Sequence, residues 1–259
     1  MLNIIKEMLR QTRRDKLLWF GAVYIFIMFV TMFTDNGLTS DTGSSFFGFA
    51  MQSVLIITPI ILGTMAARIC GADLRDKTAN YELLFGKKRW EVYFGRFIAS
   101  LIACFTVMTV IFAVIIALPT ALNGWGESLS ARNAAAHLAL VYPIMFRILC
   151  FFTAFTFLCR NDIIAFVVAV VGTGLMFVFV FAMLNLADIE LTWHLALSDM
   201  MHIIDFSNTT QGFADGRDIT VYKAPIETAA AVRSLLASFG IGSFWLFGGY
   251  MLFRKRDIS

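Results

Sequence analysis

The sequence predicts an all-α integral membrane protein with six transmembrane helices and an N-terminal helix at the membrane surface. Apolar residues make up 59% of the chain and charged residues 15%, against about 45–50% and about 25% in soluble domains. Six apolar runs of 17 to 26 residues match the roughly 20 residues that a helix needs to cross a bilayer, and Lys and Arg concentrate in alternate loops. This composition excludes a disordered chain, a secreted disulfide scaffold and an ordinary cytosolic enzyme.

The first predicted element is an amphipathic helix over residues 1–16, lying in the membrane interface. Ile5, Met8 and Leu9 fall on one face at helical spacing. The other face is basic and would be attracted to anionic headgroups; it carries Lys6, Arg10, Arg13 and Arg14. The alternative interpretation is a plain basic flank of the first span.

The six predicted membrane spans follow in order along a single transmembrane domain. They are residues 17–33, 45–67, 97–118, 138–159, 163–187 and 228–253. Lipid offers no hydrogen-bond partner to the backbone, so helices and closed barrels are the structures that cross it. The continuous apolar pattern, without alternation, indicates helices.

The distribution of basic residues predicts the orientation. Sixteen of the 21 Lys and Arg residues fall on the side of the two chain ends and four on the other, while Arg147 lies within the fourth span. Because cytoplasmic loops are rich in Lys and Arg, we expect both termini in the cytoplasm and an even number of spans. The net charge of +3 is too small and dispersed for a nucleic-acid-binding protein.

The predicted cytoplasmic loop, residues 68–96, is more apolar than a solvated loop requires. Thr78 is a candidate N-cap and Gly86 a candidate stop for a short helix. The candidate docking residues are Thr78, Tyr81, Glu82, Leu83, Leu84, Phe85 and Arg89. Apolar patches rimmed by charge mark partner surfaces; alternatively, these side chains dip into the membrane interface.

The loop resembles the segment between the second and third spans of type 2 ABC-transporter permeases. The residues at comparable places are Thr78, Leu83, Leu84, Arg89, Gly95 and Arg96. Lys77 and Gly86 depart from the pattern, which has Gly and Pro there. The basic N-terminal segment, the six spans, the long outer loop and the basic ending over Phe253–Ile258 extend the resemblance over the whole chain.

This resemblance implies a coupling helix in the loop, separate ATP-binding-cassette ATPase subunits, a second permease copy or homologue, and export across a bacterial plasma membrane. No G-x-x-x-x-G-K-[ST] phosphate loop occurs in the sequence. We therefore expect ATP and Mg²⁺ on the partner ATPase, and no catalytic, cofactor or metal site in this chain. The aromatic, weakly charged spans favour a hydrophobic or amphipathic cargo, such as a peptide, a lipid-linked molecule or a drug.

Two other function classes remain open. One is a non-transporting membrane partner or immunity subunit. The other, less favoured, is an ion-coupled secondary transporter, which needs intramembrane carboxylates that the predicted spans lack.

The predicted outer loop, residues 188–227, is long for a segment without structure, since such loops seldom exceed about 12–15 residues. Its apolar residues predict one or two short helices that lie on the outer leaflet or cap the exit.

Arg147 is the anomaly of the predicted spans. A central Arg costs about 2.5–3.5 kcal/mol in a membrane helix, and no acidic residue lies within a span to pair with it. Arg147, with Gln52 as a further polar candidate, would face a wet translocation path or the seam between two permeases. The alternative is snorkelling past a bend at Pro143. On either interpretation, we expect Leu at position 147 to insert at little cost.

Overall fold

The computed structural model describes residues 1–16, 23, 27, 31, 42–71, 86–127, 129–159, 161–186, 195–204, 209–214, 217–222 and 226–255. The helices are α1 (Leu2–Arg14), α2 (Gly43–Ala66), α3 (Arg89–Asn123), α4 (Ala131–Cys159), α5 (Asp162–Leu186), α6 (Ala196–Ile204) and α7 (Thr228–Lys255). A π-helical turn, Ala67–Gly71, continues α2. Strands β1 (Thr209–Ala214) and β2 (Arg217–Tyr222) form an antiparallel hairpin. The prediction of a helical protein is confirmed, but the sequence analysis did not predict this hairpin.

Four of the described helices are long and apolar enough to cross a membrane: α3, α4, α5 and α7. They overlap the predicted third to sixth spans: α3 and α4 begin seven or eight residues before the predicted runs, α5 ends at Leu186, and α7 continues two residues past its run. Helix α2 covers the predicted second span. The predicted first span, residues 17–33, lies outside the described residues except for three isolated positions. The chain is therefore a membrane-embedded helical protein.

Helix α3 marks the two ends of the bundle. Its 35 residues extend about 50 Å at 1.5 Å per residue. At its start, Arg89 donates to the carbonyl of Arg254 at the end of α7 (2.7 Å). Beyond its other end, the carbonyl of Gly124 accepts from the N–H of Gly43, the first residue of α2 (2.8 Å). We call the end formed by α1, the start of α3 and the end of α7 the basic end.

Helix α1 packs on the first turns of α3. Ile4, Ile5 and Met8 are buried, and Gly95 makes room for Ile4, because a Cβ at position 95 would lie 3.2 Å from its Cγ2 atom. The apolar face that the sequence analysis assigns to the membrane is thus covered by protein. The basic side chains remain exposed: Lys6, Arg10, Arg13 and Arg14.

Arg68 joins three elements at the basic end. Its guanidinium lies 3.0 Å from the Asp15 carboxylate, just after α1, and 3.3 Å from the Asp162 carboxylate at the start of α5. The Asp162 side chain is only 3% exposed. Because a buried carboxylate needs a counter-charge, Arg68 on the π-helical turn stabilises the junction between α4 and α5.

Helix α7 packs closely along α4 because a glycine faces the contact. A Cβ at Gly249 would lie 2.6 Å from both the Ala154 Cβ atom and the Tyr93 hydroxyl, whereas a Cβ at Gly248 would meet open space. The Tyr93 hydroxyl donates to the Leu246 carbonyl (2.9 Å). This hydrogen bond joins α3 to α7 beside the glycine contact.

We predict that Gly249→Ala destabilises the protein by about 1–3 kcal/mol, because the added methyl group overpacks the α4–α7 contact. The matched control, Gly248→Ala, should be neutral or slightly stabilising, because Ala is the better helix former. Denaturant unfolding of both variants in the same detergent measures the difference. Equal stabilities would contradict the described packing.

Candidate functional site

The short helix α6 forms one side of the candidate site. It packs against α2, α4 and α5, and its Leu197, Met200 and Ile203 side chains are buried. The Nδ1 atom of His137 on α4 lies 2.6 Å from the Ile203 carbonyl, at hydrogen-bonding distance. This part of the predicted outer loop therefore contains one of the predicted short helices, and that helix packs into the helical bundle.

Arg147 and Asp199 form a buried ion pair between α4 and α6. Arg147 is 4% exposed, and its Nη1 atom lies 3.9 Å from the Asp199 Oδ2 atom. Ser234 on α7 donates a hydrogen bond to the same oxygen (2.9 Å). Asp199 was not predicted as the ion-pair partner of Arg147, because it lies in the predicted outer loop and not in a predicted span.

The position of Asp199 affects its protonation. Burial raises the pKa of its carboxyl group, while the Ser234 hydrogen bond and the positive charge of Arg147 lower it. Burial has the largest effect. The ionised carboxylate is thus costly in this site, and the two neighbours compensate part of that cost.

A glycine brings α7 close to Arg147. A Cβ at Gly242 would lie 3.0 Å from the Phe146 ring and 3.3 Å from the Arg147 Cα atom. Any larger residue would push α7 away from the middle of α4. Gly242 therefore helps to hold Ser234, two helical turns earlier on α7, near Asp199.

A cavity of about 370 Å³ adjoins Arg147. It is lined by residues of α2, α4, α5 and α7 and by the start of α6. Its lining side chains are apolar except for Arg147, Thr173 and the indole of Trp245. The Thr173 hydroxyl already donates to the Ala169 carbonyl in its own helix. Arg147 therefore supplies the charge in a pocket whose lining is otherwise largely apolar.

The cavity opens sideways between α5 and α7. In the described part of the chain these two helices make few direct contacts with each other. Met176 on α5 and Trp245 on α7 line the opening and are 45% and 38% exposed. Both helices are candidate membrane spans.

The structure tests few of the predicted site residues. Residues 72–85, which include the predicted docking residues from Thr78 to Phe85, lie outside the described part of the chain, as does the side chain of Gln52. Arg89 donates to the carbonyls of Phe253 and Arg254 (3.5 and 2.7 Å) and so caps the end of α7. Its role in docking a partner stays a prediction.

The site residues that sequence reasoning missed are Asp199 and Ser234. Asp199 is the acidic residue within the apolar stretch Leu195–Ile204, and an isolated carboxylate in such a stretch is the signal that could have suggested a buried pair. Among the described residues, no group of three His, Cys, Asp or Glu side chains could hold a metal ion.

Comparison with known proteins adds no relative to this picture: no family model matches the sequence, and no curated protein matches it either. The described geometry defines a membrane-embedded helical protein. Its most unusual feature is a buried ion pair beside a largely apolar pocket.

We predict that Arg147→Leu destabilises the protein by about 3 kcal/mol or more, because Asp199 is left buried without its counter-charge. This loss concerns the folded protein, whereas the expectation that Leu inserts into the membrane at little cost stays a prediction. Arg147→Leu combined with Asp199→Leu should recover much of the loss, since no charge then stays buried. Unfolding free energies of the wild type, both single variants and the double variant measure the coupling, and additive effects would contradict the ion pair.

Proposed function

We propose that the chain is the membrane-spanning permease subunit of an ATP-driven exporter in a bacterial plasma membrane, with six spans and both termini cytoplasmic. The observation that carries this proposal is the gathering of basic residues at one end of the bundle. Described residues at that end include Lys6, Arg10, Arg13, Arg14, Lys16, Arg68, Lys87, Lys88, Arg89, Arg254 and Lys255. By the positive-inside rule, this end faces the cytoplasm.

The chain's path between the two ends supports six spans. Asp15 lies at the basic end beside Arg68, whereas Gly43 lies at the opposite end beside Gly124. A crossing between Asp15 and Gly43, as predicted for residues 17–33, agrees with these two positions. Together with α2 and the four long apolar helices, that crossing makes six.

The position of the 68–96 loop supports the coupling role. Its described flanks, the π-helical turn ending at Gly71 and the start of α3 at Arg89, both lie at the basic end. In the proposed orientation the intervening segment faces the cytoplasm, where separate ATPase subunits would dock. Those subunits would hold ATP and Mg²⁺, because this sequence has no phosphate-binding loop.

Export of a hydrophobic or amphipathic cargo would then take place between this permease and a second copy or homologue. Exposed apolar side chains cover the outer faces of α5 and α7, including Phe181, Leu236, Phe244 and Phe247. These faces suit contact with lipid and with a second permease. The decisive test is reconstitution with the ATPase and vesicle efflux that requires ATP hydrolysis.

An ion-coupled transporter is the second candidate, and one observation favours it. The Asp199 carboxylate lies inside the bundle beside Arg147, although the sequence analysis found no carboxylate in the spans. Efflux driven by a proton gradient in the absence of ATP and of an ATPase would support this candidate over the exporter.

We predict opposite sidedness for reporters fused after Ser259 and within residues 208–218. The reason is the uneven distribution of Lys and Arg between the two ends. Paired enzymatic reporters that are active only inside or only outside the cell provide the measurement. If both positions report the same side, the six-span topology is wrong.

We predict that Leu84→Asp and Tyr81→Ala weaken binding of the ATPase without preventing membrane insertion. An unpaired carboxylate buried at a docking contact costs several kcal/mol. Leu122→Asp, an exposed position near the opposite end of α3, is the matched control and should retain the ATPase. Undiminished co-purification with the Leu84 and Tyr81 variants would count against docking at this loop.

A further inference from the structure

We propose that the cavity beside Arg147 binds one uncharged molecule of about two or three aromatic rings, which enters between α5 and α7. The assignment rests on the charge balance of the lining, on its aromatic side chains, and on the volume of the cavity and its position along the helices. The site belongs to the fold of the chain itself, and the proposal goes beyond the exporter function and does not depend on it.

The charged and hydroxyl groups of the described lining already have partners within the protein. The Asp199 carboxylate, at 3.9 Å, compensates the positive charge of Arg147, and Ser234 donates a hydrogen bond of 2.9 Å to that carboxylate. The Thr173 hydroxyl donates to the Ala169 carbonyl in its own helix. A ligand ion would therefore be buried without a counter-charge of its own, which is strongly unfavourable. The cavity selects an uncharged molecule.

Aromatic rings form a large part of the wall. The centroid of the Phe151 ring lies 5.1 Å from that of Trp245 and 5.4 Å from that of Phe152, and both pairs are T-shaped. All three rings line the cavity, as does the thioether of Met176. Ring pairs and sulfur–ring contacts are favourable beyond the apolar area that they bury. An aromatic ligand therefore gains contacts here that an alkyl chain lacks.

The volume and the position of the cavity limit the ligand further. An apolar cavity of about 150 Å³ holds one benzene molecule, so a cavity of about 370 Å³ accommodates about two or three rings. The lining positions 147–152, 168–176 and 241–245 lie near the middle of α4, α5 and α7. Since these helices are candidate membrane spans, a molecule that reaches the cavity passes through an apolar environment, which again favours one without charge.

Benzophenone, which has two rings and no charge, is a direct probe, because ultraviolet light links its carbonyl carbon to C–H bonds that it touches. Irradiation of the protein in phosphatidylcholine nanodiscs should label the peptides that contain Ile148 and Met176, and the labelling should saturate. At equal concentration in the membrane, 4-benzoylbenzoate, the same molecule with a carboxylate, should bind at least about 10-fold more weakly. Equal or stronger labelling by the carboxylate would overturn the uncharged ligand.

Two glycines of α5 provide a matched pair of variants. A Cβ at Gly172 would meet only Val168 Cγ1, at 3.7 Å, and a Cβ at Gly174 would meet nothing within 4 Å. Gly172 lines the cavity and Gly174 does not. Gly172→Leu should therefore fill the cavity and abolish saturable labelling at Ile148, while Gly174→Leu should be labelled like the wild type. Unchanged labelling of Ile148 in Gly172→Leu would overturn the site.

A last arm separates an aromatic ligand from an alkyl chain such as a lipid tail. Biphenyl should compete with benzophenone about 2- to 10-fold better than dodecane does. Trp245→Leu should weaken saturable labelling by a similar factor, whereas Phe247→Leu, at an exposed position of α7 outside the cavity, should leave it unchanged. Stronger competition by dodecane, together with unchanged labelling of Trp245→Leu, would assign the cavity to an alkyl chain and overturn the aromatic ligand.

Discussion

A positive charge buried in the middle of α4 is the constraint on which the half of the bundle away from the basic end depends. Arg147 is almost fully excluded from solvent, and an uncompensated charge in such a place is strongly destabilising. Asp199 supplies the opposite charge, and Ser234 holds that carboxylate from α7. Helix α6, which comes from the predicted outer loop, thereby becomes part of the bundle. The cavity lies beside the start of this helix.

The basic end satisfies a similar requirement with reversed signs. There the nearly buried group is the carboxylate of Asp162, and Arg68 supplies the compensating charge while also contacting Asp15. Both pairs join helices to segments that sequence analysis reads as loops or flanks. Apolar packing is largely non-directional, so these charged contacts fix which segment meets which helix.

The sequence predicted the elements far better than their contacts. The third to sixth spans were found because long apolar runs need only composition and length to be recognised. Asp199 was missed as the partner of Arg147 because the two residues are distant in sequence and because the stretch around Asp199 is too short to read as a bundle helix. The same limit applies to Ile4, Ile5 and Met8: amphipathicity shows an apolar face but does not tell whether lipid or α3 covers it. The hairpin β1–β2 was not predicted, although the sequence between its strands, Asp215-Gly216, is a preferred two-residue hairpin turn.

The order of residues along the chain has a consequence for biosynthesis. Arg147 is translated 52 residues before Asp199 and 87 residues before Ser234. During that interval α4 carries the cost of about 2.5–3.5 kcal/mol for a central Arg without its counter-ion. Helix α4 must therefore be held by its other apolar residues or by the translocon until α7 has emerged, and this half of the bundle closes as a late, post-insertion step of assembly.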